Sequence, residues 1–322
     1  MNHVIAIILA VIIDAIIGDP RTWPHPVKWI GKFIYLLDKA LNKGNSRKLK
    51  GTIMLFLVVT LTFTISLSII LLAYHVHIIV GILIEALLIA TTIAQKGLKD
   101  ASLTVYEPLE TEDFDKARSQ LSEIVGRDTD RLLEPEIVRA TVETVAENTS
   151  DGVTAPLFWA FIGGAPLALA YRAINTCDSM VGYQNESYIN FGWASAKFDD
   201  MVNYLPARIT AFIMLLVNKR PKMSFLQTWS LIQQDARHHA SPNSGWLEAT
   251  VAYILQIQLG GVNYYKGEKS NAALMGTLQA SIHPLDKLHI IETIRLMNRT
   301  TTASLALIVI GGIVIELAFT WI

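Results

Sequence analysis

The chain has 322 residues, 52% hydrophobic and 17% charged, with a net charge of -1 and a mean hydropathy of +0.38. Soluble domains carry about 25% charged residues, so the composition excludes an ordinary water-soluble globule and indicates an integral membrane protein with polar portions. Near-neutral charge without a basic stripe excludes nucleic acid as a partner. The single cysteine, Cys177, excludes an intrachain disulfide and a Cys-rich metal site.

In chain order, the first apolar run covers 4–17. It lacks a basic leader, carries Asp14 inside the run and ends in Gly18-Asp19-Pro20, so it reads as a retained N-terminal span and not as a cleaved signal. The next segment, G-D-P-R-T-W-P-H-P-V, holds three prolines that fix an extended path, with Asp19, Arg21 and His25 as its polar members. Residues 52–73 carry no charge and 77–94 carry only Glu85, each near the ~20 residues that a helix needs to cross a bilayer. The short Tyr74-His75-Val76 connection predicts an antiparallel helical hairpin. Apolar spacing predicts further helices over Glu112–Ile124 and Glu136–Glu147.

Residues 153–170 are apolar but interrupted by Pro156, Gly163, Gly164 and Pro166, and 205–217 is short; both read as membrane-associated or re-entrant segments. A helical stretch over 225–260 brackets the turn Ser241-Pro242-Asn243-Ser244-Gly245, and 303–321 is a third clear span with Glu316 near its end. No alternating strand pattern is visible. The expected fold is all-α: a polytopic helical membrane protein, 1–322 as a single membrane-embedded domain, with cytoplasm-facing helical segments and re-entrant helices.

Orientation follows from Lys and Arg in the loops. Residues 18–51 hold Arg21, Lys28, Lys32, Lys39, Lys43, Arg47, Lys48 and Lys50, and the 74–76 turn holds none. The first loop is therefore expected in the cytoplasm, with 95–152 and 218–302, and the chain ends outside. Charge does not decide whether 153–170 and 205–217 both cross, putting 172–204 outside, or both dip and return. The Gly/Pro content of 153–170 favours dipping, since broken helices are tolerated where they line a protein cavity.

The densest polar chemistry lies between Glu143 and Arg208, beside membrane-grade sequence where ionisable groups are costly unless paired, hydrated or used. Glu143 and Glu147, four apart, share a helix face, and Asn148, Ser150 and Asp151 follow at the helix end. Such a set suits Mg²⁺, which takes a few carboxylate oxygens plus water and phosphates; a solvated helix end would also explain it. Asp178, Asp199 and Asp200 form a second acidic group, with Asn175, Asn185 and Asn203 near in sequence. Arg172, Lys197 and Arg208 are interspersed, as phosphate partners or as internal ion pairs. A third motif runs from Asp235 to Ala249. Adjacent His238 and His239 cannot both face one metal from one helix face, so anion binding at the following helix start or acid–base work by one histidine is the better reading. No Walker A or dinucleotide fingerprint is present.

Five segments, G-D-P-R-x-W-P-H-P-V, E-T-V-A-E-N-T-S-D-G-V-x-A-P-L, Y-R-A-x-N-T-x-D-S-M-V-G-Y, F-G-x-A-S-A-K-x-D-D-x-x-N-x-x-P-A-R and D-A-x-x-H-x-S-P-N-S-G-x-x-E-A, together resemble the cobalamin-biosynthesis CobD/CbiB family over about 14–295. Trp246-Leu247 departs from the proline expected before Glu248. The resemblance implies an adenosylcobinamide-phosphate synthase of the cell (inner, cytoplasmic) membrane, multi-pass, with its active site facing the cytoplasm. Its reaction would be the ATP-dependent amide ligation of (R)-1-aminopropan-2-ol, or its O-phosphate, to the free propionate of adenosylcobyric acid. It implies ATP as co-substrate with Mg²⁺, no tightly bound prosthetic group, contact with other cobalamin-assembly enzymes, and a lipid bilayer around the chain.

Residue chemistry then nominates Glu143, Glu147, Asp151, Asp199 and His239 as catalytic, and Glu147, Asp151 and Asp200 as metal-holding. Arg21, Arg172, Asp178, Lys197, Asn203, Arg208, Asn243 and Ser244 are nominated for substrate and phosphate. The competing class is a transporter or permease for a small polar or corrinoid-related molecule, suggested by broken apolar segments with charges at depth. It predicts vectorial uptake into vesicles without ATP and aminopropanol.

Overall fold

Long apolar helices joined by short connections make up most of the computed structural model, which describes residues 1–18, 24–219, 223–276 and 282–320. In order these are α1 (Asn2–Ile16), α2 (Pro26–Leu41), α3 (Arg47–Val76), α4 (Ile78–Ala90), α5 (Gln95–Glu110), α6 (Phe114–Ser122) and α7 (Glu134–Asn148). A π-helical turn (Thr149–Thr154) leads into α8 (Ala155–Val181), α9 (Trp193–Val217), α10 (Phe225–Ala236) and α11 (Ser244–Leu255), then strands β1 (Leu259–Tyr265) and β2 (Glu268–Met275) and α12 (Leu288–Thr320). Among the described residues, 5 helical runs are long and apolar enough to cross a membrane: Arg47–Val76, Ile78–Glu110, Glu134–Val181, Trp193–Val217 and Leu288–Ala318. The protein is a polytopic α-helical membrane protein. Arg21 and Asp19 lie outside the described residues.

The chain divides into two compact units, the first comprising Met1–Lys96, Asp151–Asn203 and Leu305–Ile322, the second Gly97–Ser150 and Tyr204–Ser304. In the first, α3 and α4 form the expected antiparallel pair. The turn is a single extended residue, His77, whose Nδ1 accepts the Ile79 N–H at 3.2 Å. α8 packs on α2, α3 and α4, and α1 packs on α4. The buried layer includes Ile30, Ile34, Met54, Val58, Cys177 and Phe191.

The Gly/Pro-rich stretch of α8 is a sharp bend within one helix. Gly163 and Gly164 leave helical geometry, and Gly164 takes φ 65°, ψ −160°, a region open essentially to glycine alone. The two prolines do not break the helix elsewhere: Pro156 sits in its first turn, and Pro166 in the first turn after the bend, where no intrahelical N–H bond is lost. The bend frees the Ala165 N–H, and Glu85 of α4 accepts it at 3.2 Å. Glu85 also accepts from the Tyr74 hydroxyl at 2.6 Å and lies 2.7 Å from His3 Nδ1. The single charge in the second expected span is thus a fully buried, multiply bonded pin for the bend.

In the second unit, α7 packs against α6, α11 and β1, and α11 against α10 and both strands. The antiparallel β1–β2 hairpin corrects the expectation of no strands. Gly260 and Gly261, both at positive φ beside a register shift, break the alternation by which a strand is recognised. Its two-residue turn, Lys266-Gly267, has φ 53° and 80°, and both N–H groups donate to the Asp128 carboxylate at 2.9 and 2.7 Å. The predicted helices Glu112–Ile124 and Glu136–Glu147 correspond to α6 and α7. The short apolar stretch 205–217 is the second half of α9, which begins at Trp193, so most of 172–204 is helical.

Candidate functional site

Polar chemistry gathers separately in each unit. In the first, α8 places Tyr171 and Asn175 one turn apart, and α9 does the same with Asp199 and Asn203. The Asp199 carboxylate, 8% exposed, accepts from Asn175 Nδ2 at 3.3 Å and from Asn203 Nδ2 at 3.0 Å. Asn203 Oδ1 in turn faces the Tyr171 hydroxyl at 2.7 Å, and that hydroxyl is also 2.9 Å from the Asp151 carbonyl. Asp178 and Asp200 add negative charge near Asp199.

Arg172 donates to Asn175 Oδ1 at 3.3 Å, while its buried Nε has no hydrogen-bond partner. A buried guanidinium N–H left unsatisfied is costly, and an added acceptor at this position would relieve that cost. Lys197 lies 3.6 Å from Asp200, two-thirds exposed, so that pair is solvent-screened and weak. The cluster can hold a cation against its carboxylates and an anion against Arg172.

In the second unit, Ser244 at the start of α11 donates to Glu147 Oε1 at 2.7 Å. Ser241 Oγ accepts the N–H groups of Asn243 and Ser244, both at 3.2 Å, so the turn itself consumes two amides that a bound anion would need. Arg208 braces the same turn. It donates to Asn243 Oδ1 and the Pro242 carbonyl, each at 3.3 Å, and its guanidinium stacks 3.4 Å from the Tyr204 ring centre and 4.9 Å from that of Trp246. His239 is fixed at Nδ1 by the Ser241 backbone at 3.1 Å, and its Nε2 lies 3.5 Å from Glu248 Oε1. Burial of Glu248, with Glu143 and Glu147 close by, pushes its carboxyl well above the ordinary range against the opposing pull of Arg127 and Arg139.

Glu143 has both oxygens engaged: Gly260 N–H donates to Oε1 at 2.8 Å, and Arg127 pairs with Oε2. Arg139 donates to the Gly260 and Val262 carbonyls and, with Arg127, to Asn263 Oδ1. These three residues clamp β1 to α7.

The nominated residues therefore fall into two sets. Asp151, Arg172, Asp178, Lys197, Asp199, Asp200 and Asn203 belong to the first unit, and Glu143, Glu147, Arg208, His239, Asn243 and Ser244 to the second. Among the described residues, no three His, Cys, Asp or Glu side chains form a group able to hold a metal ion. Any Mg²⁺ would take most of its ligands from water and phosphate. Tyr171 and Glu248 join the clusters without having been nominated. Glu248 carries the readable signal, an acid within the otherwise apolar α11, whereas Tyr171 in an apolar helix gives none.

Long apolar helices enclosing buried carboxylate, carboxamide and guanidinium groups define a polytopic integral membrane protein. A family model described as CobD/Cbib protein matches residues 7–297, and the chain belongs to that family. It is 51% identical over 314 residues to the cobalamin biosynthesis protein CobD of Halalkalibacterium halodurans, covering 97% of this chain and 98% of the relative. Identity is 46% to a Geobacter metallireducens protein of the same name, covering 90% and 91%. It is 42% to the cobalamin biosynthesis protein CbiB of Salmonella typhi, covering 95% and 96%. No solved structure matches.

Proposed function

We propose that this chain is a cobalamin-assembly enzyme that uses ATP to join (R)-1-aminopropan-2-ol, or its O-phosphate, to the free propionate of adenosylcobyric acid, giving adenosylcobinamide or its phosphate. Family membership supports the pathway. The observation that carries the chemistry is the first-unit cluster, a buried carboxylate with excess negative charge beside a guanidinium with an unsatisfied N–H. An aminoalkyl phosphate, an ammonium at one end and a phosphate at the other, matches that pair of demands.

In this reading the propionate oxygen attacks the terminal phosphorus of ATP and ADP leaves, producing an acyl phosphate. The amine nitrogen then attacks the acyl carbon, inorganic phosphate leaves, and the ammonium protons pass to nearby bases and solvent. Asp199 holds the ammonium and accepts a proton as the nitrogen becomes nucleophilic, with Asn175 and Asn203 fixing its orientation. Arg172 grips a phosphate. In the second unit, His239, oriented by the Ser241 backbone, is the acid–base candidate. Mg²⁺ would shield phosphate charge, with Asp151 and Asp200 in the first unit or Glu147 in the second as its carboxylate contacts.

The test is incubation of the purified protein with adenosylcobyric acid, ATP, Mg²⁺ and aminopropanol phosphate. Amide product and ADP are expected in equal amounts. Folded protein that yields neither would reject the ligase.

A further inference from the structure

α10 is 12 residues long, about 18 Å at the helical rise and too short to cross a bilayer. One side of it, Thr228, Ile232, Asp235 and Ala236, is buried, and Asp235 accepts from the Tyr253 hydroxyl of α11 at 3.0 Å. Another side presents Ser230 and Gln234 as exposed polar residues. Between the two, the first turns are apolar: Phe225 and Trp229 are half-buried, and Leu226, at 78%, is the most exposed large hydrophobic side chain among the described residues. The helix start satisfies two of its own donors. Ser224 Oγ accepts the Gln227 N–H at 3.3 Å, and Gln227 Oε1 accepts the Ser224 N–H at 3.1 Å.

These first turns continue the lipid-facing surface of α9. The Phe212 ring lies edge-on to Phe225 at 5.3 Å and to Trp229 at 5.6 Å. Phe212 belongs with Leu205, Ile209 and Leu216 to an exposed apolar stripe along one face of α9, a helix long and apolar enough to cross a membrane, so lipid is the cover of that stripe. Phe212 is about 8 Å short of the helix end. Lys219, Arg220 and Lys222 follow in the sequence, the basic flank of a span where it reaches water.

We infer that the first two turns of α10 are an interfacial anchor, with Leu226 inserted among the headgroups and upper acyl chains of the bilayer around α9 and Ser230 and Gln234 facing water. Trp229 suits that boundary, as an aromatic with one polar N–H on an apolar body. The anchor also reaches a turn that carries proposed chemistry. The Trp229 ring lies 5.3 Å from that of Trp246, which in turn contacts the Arg208 guanidinium that braces Pro242 and Asn243. All of these residues lie in the second unit, and the inference does not depend on the proposed ligase chemistry.

The experiment uses the full-length protein in phospholipid vesicles, with a nitroxide spin label on Leu226→Cys, Ser230→Cys or Gln234→Cys in turn. Each replaces an exposed side chain, and the buried Cys177 makes the unsubstituted protein the blank. Collision with oxygen, which concentrates in lipid, and with a water-soluble nickel chelate reports the depth of each label. The Leu226→Cys label should be oxygen-accessible and shielded from nickel, at about 5–10 Å inside the headgroup boundary, the depth of interfacial helices. The Ser230→Cys and Gln234→Cys labels should be nickel-accessible. Nickel access at Leu226→Cys equal to that at Ser230→Cys would overturn the anchor. So would lipid-level depths at all three positions, which would mean an immersed helix. A Leu226→Cys spectrum broadened by a neighbouring label, and sharpened by dilution with unlabelled protein, would assign the face to a second copy of the chain and overturn it equally.

Discussion

Asp199 is where burial and chemistry meet most sharply. It holds its carboxylate between two carboxamides with little solvent and further acids nearby, an arrangement whose energetic cost a bound cation would offset. Asp199→Asn keeps the shape and removes the charge. Single-turnover amide formation should fall by about 10²–10⁴, the range for a lost general acid–base group, with elution and helical content unchanged; activity within threefold of wild type would remove Asp199 from the chemistry.

Glu143 should behave differently. Because it pairs with Arg127 and caps Gly260 N–H, Glu143→Gln breaks a buried ion pair and should cost about 3–5 kcal/mol of stability, read by denaturant unfolding in detergent. Arg127→Met alone should cost a similar amount, and the double variant far less than the sum.

Glu248 sets a pH dependence. Its folded carboxyl is held well above the ordinary range, so the native state retains a proton that the unfolded chain releases. Its contribution to stability is therefore full below the ordinary glutamate range and is lost as pH rises toward the folded value. Glu248→Gln should flatten that part of the stability–pH curve; an unchanged slope would assign it to other groups.

At the scale of elements, the bend in α8 is the feature on which sequence and structure agree most usefully. Gly163-Gly164 marks the interruption, and the structure supplies what the sequence withheld: Glu85, eighty residues away, accepts the freed Ala165 N–H. A side chain on Gly164 would meet both Glu85 and His3. Gly164→Ala should cost about 1–3 kcal/mol from backbone strain alone, measurable as a lowered unfolding midpoint. Gly97→Ala, in α5 with nothing within 4 Å, should not destabilise and should add up to about 1 kcal/mol through helix propensity.

The α3–α4 hairpin was legible because uninterrupted apolarity needs no tertiary context. The β-hairpin was not: its register depends on Asp128 capping the turn and on Arg127 and Arg139 binding its carbonyls and Asn263, contacts separated by more than a hundred residues. For the same reason the sequence could nominate Glu143 as an acid but not show that a guanidinium and an amide already occupy it. Asp199 was readable as one of an acidic group with Asn203 near in sequence, but their pairing one turn apart on α9 is visible only in the structure. Their partner Tyr171 comes from a different helix.

At the scale of the whole molecule, the proposed use of cytosolic ATP requires polar clusters open to the cytoplasm. The lone Cys177 is fully buried, so an introduced cysteine reports its own position. Lys197→Cys, replacing a side chain 66% exposed, should react with a membrane-impermeant maleimide in inside-out vesicles and not in intact cells. Labelling confined to intact cells would break the proposed link between the start of α9 and ATP. Activation of the propionate is the defining step of the proposed ligase. Adenosylcobyric acid carrying heavy oxygen in that carboxylate should pass one labelled oxygen to inorganic phosphate for each amide formed, with ADP as the co-product; amide formation with the label in AMP, or with unlabelled phosphate, would contradict it.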